Sequence, residues 1–213
     1  MQVVTVSAAY GAGGSVIGPA VAERLGVPFV DRAIPTTVAA EIGVPLEEAL
    51  AHDDRTEHGI GRLLAGAARL PNVTLGGMDA YLPQQSLVPE EEFVARTENV
   101  IRDTVRRGGG VVLGRAGALV LAGHPQTLHV RLDGPKDRRM AQAMRLRGLD
   151  EGVARREQQD TDRARMAYVK HFYRVDPTAP GLYHFILDST SLSLETCVDL
   201  IVSAAGAHSA TAG

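Results

Sequence analysis

The first fifteen residues constrain this chain more than any other stretch. The apolar run Val3-Val4-Thr5-Val6 leads into Ser7-Ala8-Ala9-Tyr10-Gly11-Ala12-Gly13-Gly14-Ser15, and a helix-forming segment over 16–25 follows. A strand, a glycine-rich turn and a helix, in that order, aim backbone N–H groups and a helix N-terminus at one point, an arrangement suited to phosphate. The phosphate-loop consensus is G-x-x-x-x-G-K-[ST], in which the lysine reaches the β- and γ-phosphates. With Gly13 and Ser15 set on its last glycine and its hydroxyl, Ala8 stands at the first glycine and Gly14 at the lysine. The cradle is present and its lysine is not. The competing reading is a glycine-rich bend that binds nothing. The position straight after the first strand of an α/β chain favours phosphate.

The remainder of the chain alternates in the same way. Residues 26–31 read as a second short strand behind a glycine stop, and 33–42 and 45–50 as helical. From 52 to 89 the pattern weakens: 59–70 forms a helix at most, and 72–85 reads as irregular loop. Pro89 followed by Glu90, Glu91 and Glu92 opens a clear helix with Phe93, Thr97, Val100, Ile101 and Val105 on one face. Strands are expected over 110–114, 127–132 and 183–188, and helices over 116–121, 136–147, 152–173 and 194–204, the last capped by Ser193. Short strands alternating with helices imply a parallel sheet covered on both faces, with ligands at the carboxyl ends of its strands.

With 213 residues, the chain is expected to form one domain over 1–205. Within it, 33–88 reads as an insertion, 135–174 as an arginine-rich lid, and 206–213 as a disordered tail. The net charge of −3 argues against a nucleic-acid binder. The single cysteine, Cys197, excludes an internal disulfide, suits a reducing compartment and reads as a core residue. No leader-like start and no apolar run of membrane-spanning length are seen, so a cytoplasmic protein without membrane or nucleic-acid partners is expected. Self-association as a homodimer stays open. His52 and His58 lie near Asp53, Asp54 and Glu57 without the spacing of a known metal motif, and read as a solvated loop.

Lys136 and Lys170 are the only lysines, and half of the arginines fall between Arg131 and Arg174. Arginine grips phosphate bidentately and stays charged, so this clustering suits anionic ligands. Arg156, Asp160 and Arg163, spaced by four and three, share a helix face; an exposed ion pair is the plainer reading of them. Arg138, Arg145, Arg147 and Arg155 read as a solvated face.

Six segments in order resemble the cytidylate kinase-like proteins, a branch of the P-loop nucleoside monophosphate kinases. They are Thr5-Val6-Ser7 with Tyr10 to Gly18; Gly26-Val27-Pro28-Phe29-Val30-Asp31-Arg32; Val111-Val112-Leu113-Gly114-Arg115; and His129-Val130-Arg131-Leu132 before an arginine-bearing helix. Arg156-Glu157-Gln158-Gln159-Asp160-Thr161-Asp162-Arg163 is similar to the lid motif Arg-Asp-x-x-Asp-Ser-x-Arg, and the segment 183–193 completes the set. A second glycine in place of the loop lysine, here Gly14, is usual in this branch. The chain departs from the pattern at Ala8, where an arginine is common, and at Ala116, where cytidylate kinases proper carry an aspartate.

The resemblance implies a P-loop three-layer sandwich, a parallel sheet flanked by helices, with a helical acceptor-site insertion and an arginine-rich lid. It implies ATP and Mg²⁺ as cofactors, and a nucleotide or other small phosphorylated acceptor such as CMP. Gly11, Ala12, Gly13, Gly14 and Ser15 then hold the donor phosphates, with the Ser15 hydroxyl on the Mg²⁺ side. Arg115 holds the acceptor phosphate, Asp31 and Arg32 begin the acceptor site, and Arg156 and Arg163, with Asp160, serve the transferring phosphoryl group. The alternative is a nucleotide-binding sensor or scaffold with a kinase-like fold and impaired catalysis, which Ala8, Gly14 and Ala116 favour.

Overall fold

The structure is a computed structural model that describes residues 2–30, 90–114 and 116–211. In chain order the described elements are β1 (Val3–Ala8), α1 (Gly14–Leu25), β2 (Phe29–Val30), α2 (Glu90–Gly108), β3 (Gly110–Leu113), α3 (Gly117–Val120), β4 (Thr127–Asp133), α4 (Lys136–Arg147), α5 (Glu151–Tyr173), a 3-10 turn (Pro180–Leu182), β5 (Phe185–Asp188) and α6 (Leu194–Thr211). The expected insertion over 33–88, with His52, His58 and the site candidates Asp31 and Arg32, lies outside the described residues. So does Arg115.

The five described strands are all parallel, in the order β2-β3-β1-β4-β5. Strand period two divides the side chains of β1 between two cores and sets Leu128, Val130 and Leu132 of β4 in the first of them. Val4, Val6, Leu128, Val130 and Leu132 pack with Ile17 and Val21 of α1 and Cys197, Val198 and Ile201 of α6. Val3, Val30 and Val112 pack on the other side with Ile101 and Val105 of α2 and Leu121. Helices therefore cover both faces, and each face is closed by apolar burial. The α2 face read from the sequence is observed at Thr97, Ile101 and Val105, all buried, with Val94 beside them.

Local signals set the element ends. Gly26 ends α1 in the left-handed conformation (φ 66°), its N–H returning to the Ala22 and Glu23 carbonyls. The Asp150 carboxylate caps α5 by accepting from the Val153 amide at 2.9 Å. The Ser193 hydroxyl does the same for α6, accepting from Thr196 N–H at 3.0 Å.

One expectation is corrected here. The segment read as a disordered tail from Gly206 is helical, since α6 continues to Thr211. Ala205 is buried and the His208 ring lies 4.8 Å from that of His184, so the extra turns have something to pack on. Small residues such as Ala and Gly suggest a loose terminus in the sequence, but they also allow close helix packing. Among the described residues, no helix is long and apolar enough to cross a membrane.

A histidine cluster ties β4 to its neighbours. Thr5 Oγ1 and His129 Nδ1 are 2.8 Å apart, and the His129 amide donates to His184 Nδ1 at 2.8 Å. The His129 and His184 rings stack with centroids 5.2 Å apart. Burial, reinforced by the neighbouring imidazoles, pushes the His129 pKa down to about 4 and also lowers that of His184. A folded-state pKa below the ordinary 6.5 contributes stability above pH 6.5 that is lost as the pH falls toward 4. Urea unfolding of the whole chain should therefore lose about 2–3 kcal/mol over that window. His129→Gln should flatten the slope; an unchanged slope would mean that His129 is not its source.

Candidate active site

The carboxyl ends of β1, β3 and β4 lie along one edge of the sheet, and the glycine-rich turn leaves β1 there. The sheet order reverses at this point, since α1 leads from β1 toward β2 and β3 on one side while β4 lies on the other. Gly11 and Gly13 adopt φ of 76° and 74°, left-handed values that favour glycine. These reversals coil residues 9–15 into a loop that opens on the first turn of α1.

Three successive carbonyls of the loop are each taken by a side chain. Arg139 Nη1 donates to the Tyr10 carbonyl at 2.8 Å, Gln142 Nε2 to that of Gly11 at 3.0 Å, and the buried Ser189 hydroxyl to that of Ala12 at 2.7 Å. With its carbonyls held this way, the loop keeps its remaining amides for something else. Val16 and Ile17 N–H return to the Gly13 carbonyl and Ala12 N–H to that of Ala9. The amides of Gly11, Gly13, Gly14 and Ser15 have no acceptor among the described residues. A cluster of unanswered N–H groups at a helix N-terminus is a site for an anion. The Ser15 side chain stands exposed beside it.

Gly14 explains the missing lysine in steric terms. A Cβ there would lie 2.6 Å from Ala8 Cβ and 3.1 Å from Leu113 Cδ1. The consensus glycine at the position of Ala8 and the consensus lysine are thus exchanged together: once a methyl group fills position 8, position 14 has no room for a side chain.

The two arginine-rich helices brace the loop. Arg139, its side chain 5% exposed, also donates Nε to the Gly134 carbonyl at 2.9 Å and Nη1 to Asp162 at 2.8 Å. Asp162 accepts the Tyr10 amide at 2.9 Å, and Arg165 Nη1 donates to the Ala8 carbonyl at 2.7 Å. The Tyr10 hydroxyl donates to Glu157 at 2.7 Å, and Arg147 pairs with the same carboxylate. Burial first, and then Glu157, raise the Tyr10 pKa to about 12, so the phenol stays protonated and remains a donor.

Gly11, Ala12, Gly13, Gly14 and Ser15 therefore come together as a loop. Arg156, Asp160 and Arg163 do not reach it. All three are exposed, without an ion-pair partner among the described residues. At about 100° per residue they lie roughly opposite Glu157, Asp162 and Arg165, the side of α5 that holds the loop. Arg138, Arg147 and Arg155 are exposed and paired with Asp188, Glu157 and Glu151, as a solvated face should be.

Sequence reasoning missed Arg139, Gln142, Asp162 and Ser189. Arg139 and Gln142 share a helix face by their spacing of three, but nothing in an arginine-rich helix marks which face is buried. Among the described residues no group of three or more histidine, cysteine, aspartate or glutamate side chains is placed to hold a metal ion.

Comparison with known proteins fits this geometry. The model of the cytidylate kinase-like family matches residues 3–191. A cytidylate kinase of Methanopyrus kandleri is 28% identical over 111 residues, 48% of this chain and 58% of that protein. A uronate isomerase of Corynebacterium glutamicum is 33% identical over 135 residues, 62% of this chain but only 26% of that protein. The chain thus spans about a quarter and somewhat over half of these two relatives. Among solved structures, an uncharacterized protein from Eubacterium ventriosum superposes with a TM-score of 0.65 at 16% identity, covering 97% of this chain and 99% of that one. A gluconokinase from Sinorhizobium meliloti superposes with a TM-score of 0.51 at 14% identity, covering 99% and 94%. At such identities the structural likeness concerns the fold.

Proposed function

We propose, for a chain that belongs to the cytidylate kinase-like family, that it transfers a phosphoryl group from ATP to CMP or a similar small acceptor. The observation that carries this reading is the loop whose carbonyls are occupied from outside while the amides of Gly11, Gly13, Gly14 and Ser15 have no acceptor among the described residues. Phosphoryl transfer asks mostly for positioning and charge neutralisation, and such a loop offers both to a donor's phosphates.

In this account the amides of 11–15 hold the donor phosphates. The exposed Ser15 hydroxyl is the ligand the loop offers to Mg²⁺, which when bound neutralises charge on the phosphate oxygens. Arg115, next after Gly114 at the end of β3, holds the acceptor's phosphate, and Asp31 and Arg32 begin the acceptor site beyond β2. Arg156 and Arg163 neutralise the transferring group and Asp160 orients them, which requires the exposed face of α5 to reach the site when the acceptor binds, after the donor has seated the helix on the loop. Closure of that helix excludes water and limits wasteful hydrolysis.

Arg163→Ala should lower turnover by about 10²–10³-fold, the usual cost of removing one transition-state donor. Because Arg163 is exposed, the melting temperature should stay within error of wild type. Wild-type turnover in Arg163→Ala would remove the lid arginine from the mechanism. Arg115→Ala should show the same pattern.

A second reading is a nucleotide-binding sensor or scaffold that no longer catalyses. The steric exclusion of a lysine at Gly14 favours it. Tight nucleotide binding without acceptor-dependent turnover would establish it. The match to a segment of a uronate isomerase puts sugar acids on the acceptor panel beside nucleoside monophosphates.

A further inference from the structure

We infer that Asp162 is a positioning residue that couples the phosphate loop to α5, so that donor binding and seating of the arginine-bearing helix are one event. The inference rests on the kinase reading for its consequence in nucleotide affinity, but its structural part stands on hydrogen bonds alone. In the lid motif that this segment resembles, Asp162 occupies a position left free, so nothing in the resemblance assigns it a role.

The main chain of Tyr10 is gripped on both sides of its Cα by a single ion pair. Its N–H donates to Asp162 Oδ1 at 2.9 Å, and its carbonyl accepts from Arg139 Nη1 at 2.8 Å. Arg139 and Asp162 close the ring with a 2.8 Å bond between Nη1 and Oδ2. The two partners come from different helices, α4 and α5, and the loop residue between them contributes main chain only. Rotating α5 away therefore breaks the Tyr10 amide bond and takes the nearer of two carboxylates from a buried guanidinium, leaving only Asp133 at 3.5 Å from Nε. Losing both bonds inside the protein is costly, so the loop and the helix keep their relative placement or lose it together.

The neighbours reinforce the same coupling from other positions on α5. The Tyr10 hydroxyl donates to Glu157, and Arg165 reaches the Ala8 carbonyl. Asp162 accepts from the loop's main-chain N–H and from the buried arginine at once. Gly11, where the unanswered amides begin, follows Tyr10 directly. A shift of the Tyr10 peptide therefore re-aims the first of the phosphate-facing donors. A lysine that would otherwise attract the donor's charge is absent, so the loop depends more heavily on amides held in place.

The test uses the full chain and Asp162→Asn, which keeps an acceptor for the Tyr10 amide but removes the charge facing Arg139. Hydrogen exchange should rise together in 9–13 and 151–173 and stay at wild-type levels in α1, α2 and α6. Affinity for Mg-ATP, by calorimetry, should weaken about tenfold, in the range of ordinary coupling between sites. In wild type, Mg-ATP should slow exchange in 151–173 as well as in the loop, and in Asp162→Asn in the loop only. Asp162→Glu should restore part of both effects, which a merely structural loss would not.

If exchange rises in 151–173 while the loop and the Mg-ATP affinity stay at wild-type values, Asp162 only anchors the helix and the coupling is overturned. A uniform rise across the chain overturns it too, by showing a global stability defect. Should Asp162→Asn fail to melt cooperatively, Arg139→Lys carries the same expectations, since it keeps the charge and loses the fork. A wild-type chain that binds no Mg-ATP contradicts the kinase reading instead, and the exchange comparison still decides whether loop and helix move as one.

Discussion

Gly11→Ala should abolish nucleotide binding and cost about 3 kcal/mol of stability, within the range seen where strain and clash combine. Two effects act at the same atom. Gly11 sits at φ 76°, where a side chain is strained by about 1–2 kcal/mol. Its Cβ would also lie 2.1 Å from the Arg139 carbonyl oxygen and 2.7 Å from that carbonyl carbon. Those atoms belong to the backbone of α4 and cannot swing aside like a flexible side chain. The loop must move instead, and with it the bonds from Arg139 and Gln142 to the Tyr10 and Gly11 carbonyls. Denaturant melts and calorimetry with Mg-ATP on the same sample read the two losses separately. A variant that binds nucleotide as wild type does would show that the loop's shape is not what holds phosphate.

Gly14→Lys, which restores the consensus lysine, should destabilise the chain by about 1–3 kcal/mol and yield no gain in activity. The new Cβ meets Ala8 Cβ at 2.6 Å and Leu113 Cδ1 at 3.1 Å, an overpacked contact between β1, β3 and the first turn of α1. The double variant Ala8→Gly with Gly14→Lys removes the closer of these clashes and should recover most of the lost stability. The two changes are therefore expected to be strongly non-additive, as contacting residues are. Additive effects in urea melts of the four proteins would mean that the Ala8 methyl does not exclude the lysine. If the double variant also turns over faster than wild type, the lysine's role in the reaction has been regained.

The extent to which sequence foretold this molecule follows from the kind of signal each residue carries. The strands and most helix ends were legible because they rest on local chemistry. Gly26 and Ser193 are caps whose identity alone suggests their geometry, and the apolar face of α2 shows its period directly. The loop at 11–15 was legible for the same reason, since its glycines and its place after β1 are local facts. The bracing of that loop was not. Arg139, Gln142, Asp162 and Ser189 reach it from positions more than a hundred residues away, and each is an ordinary polar residue in its own helix or turn. Within α5, spacing correctly grouped Arg156, Asp160 and Arg163 on one face but could not say which way the face points. The helix turns Glu157, Asp162 and Arg165 toward the loop instead. The tail after Gly206 was misread because alanine and glycine serve both a loose terminus and a close-packed helix.

The central claim is that a loop without its lysine still holds a nucleotide's phosphates productively. The most direct test is ADP formation from Mg-ATP with and without CMP, measured beside the binding of each nucleotide to the wild-type chain. The account predicts binding of Mg-ATP and CMP-dependent release of ADP, both lost in Gly11→Ala, with the release lost in Arg115→Ala. A chain that binds neither nucleotide, or whose binding survives Gly11→Ala unchanged, would contradict it.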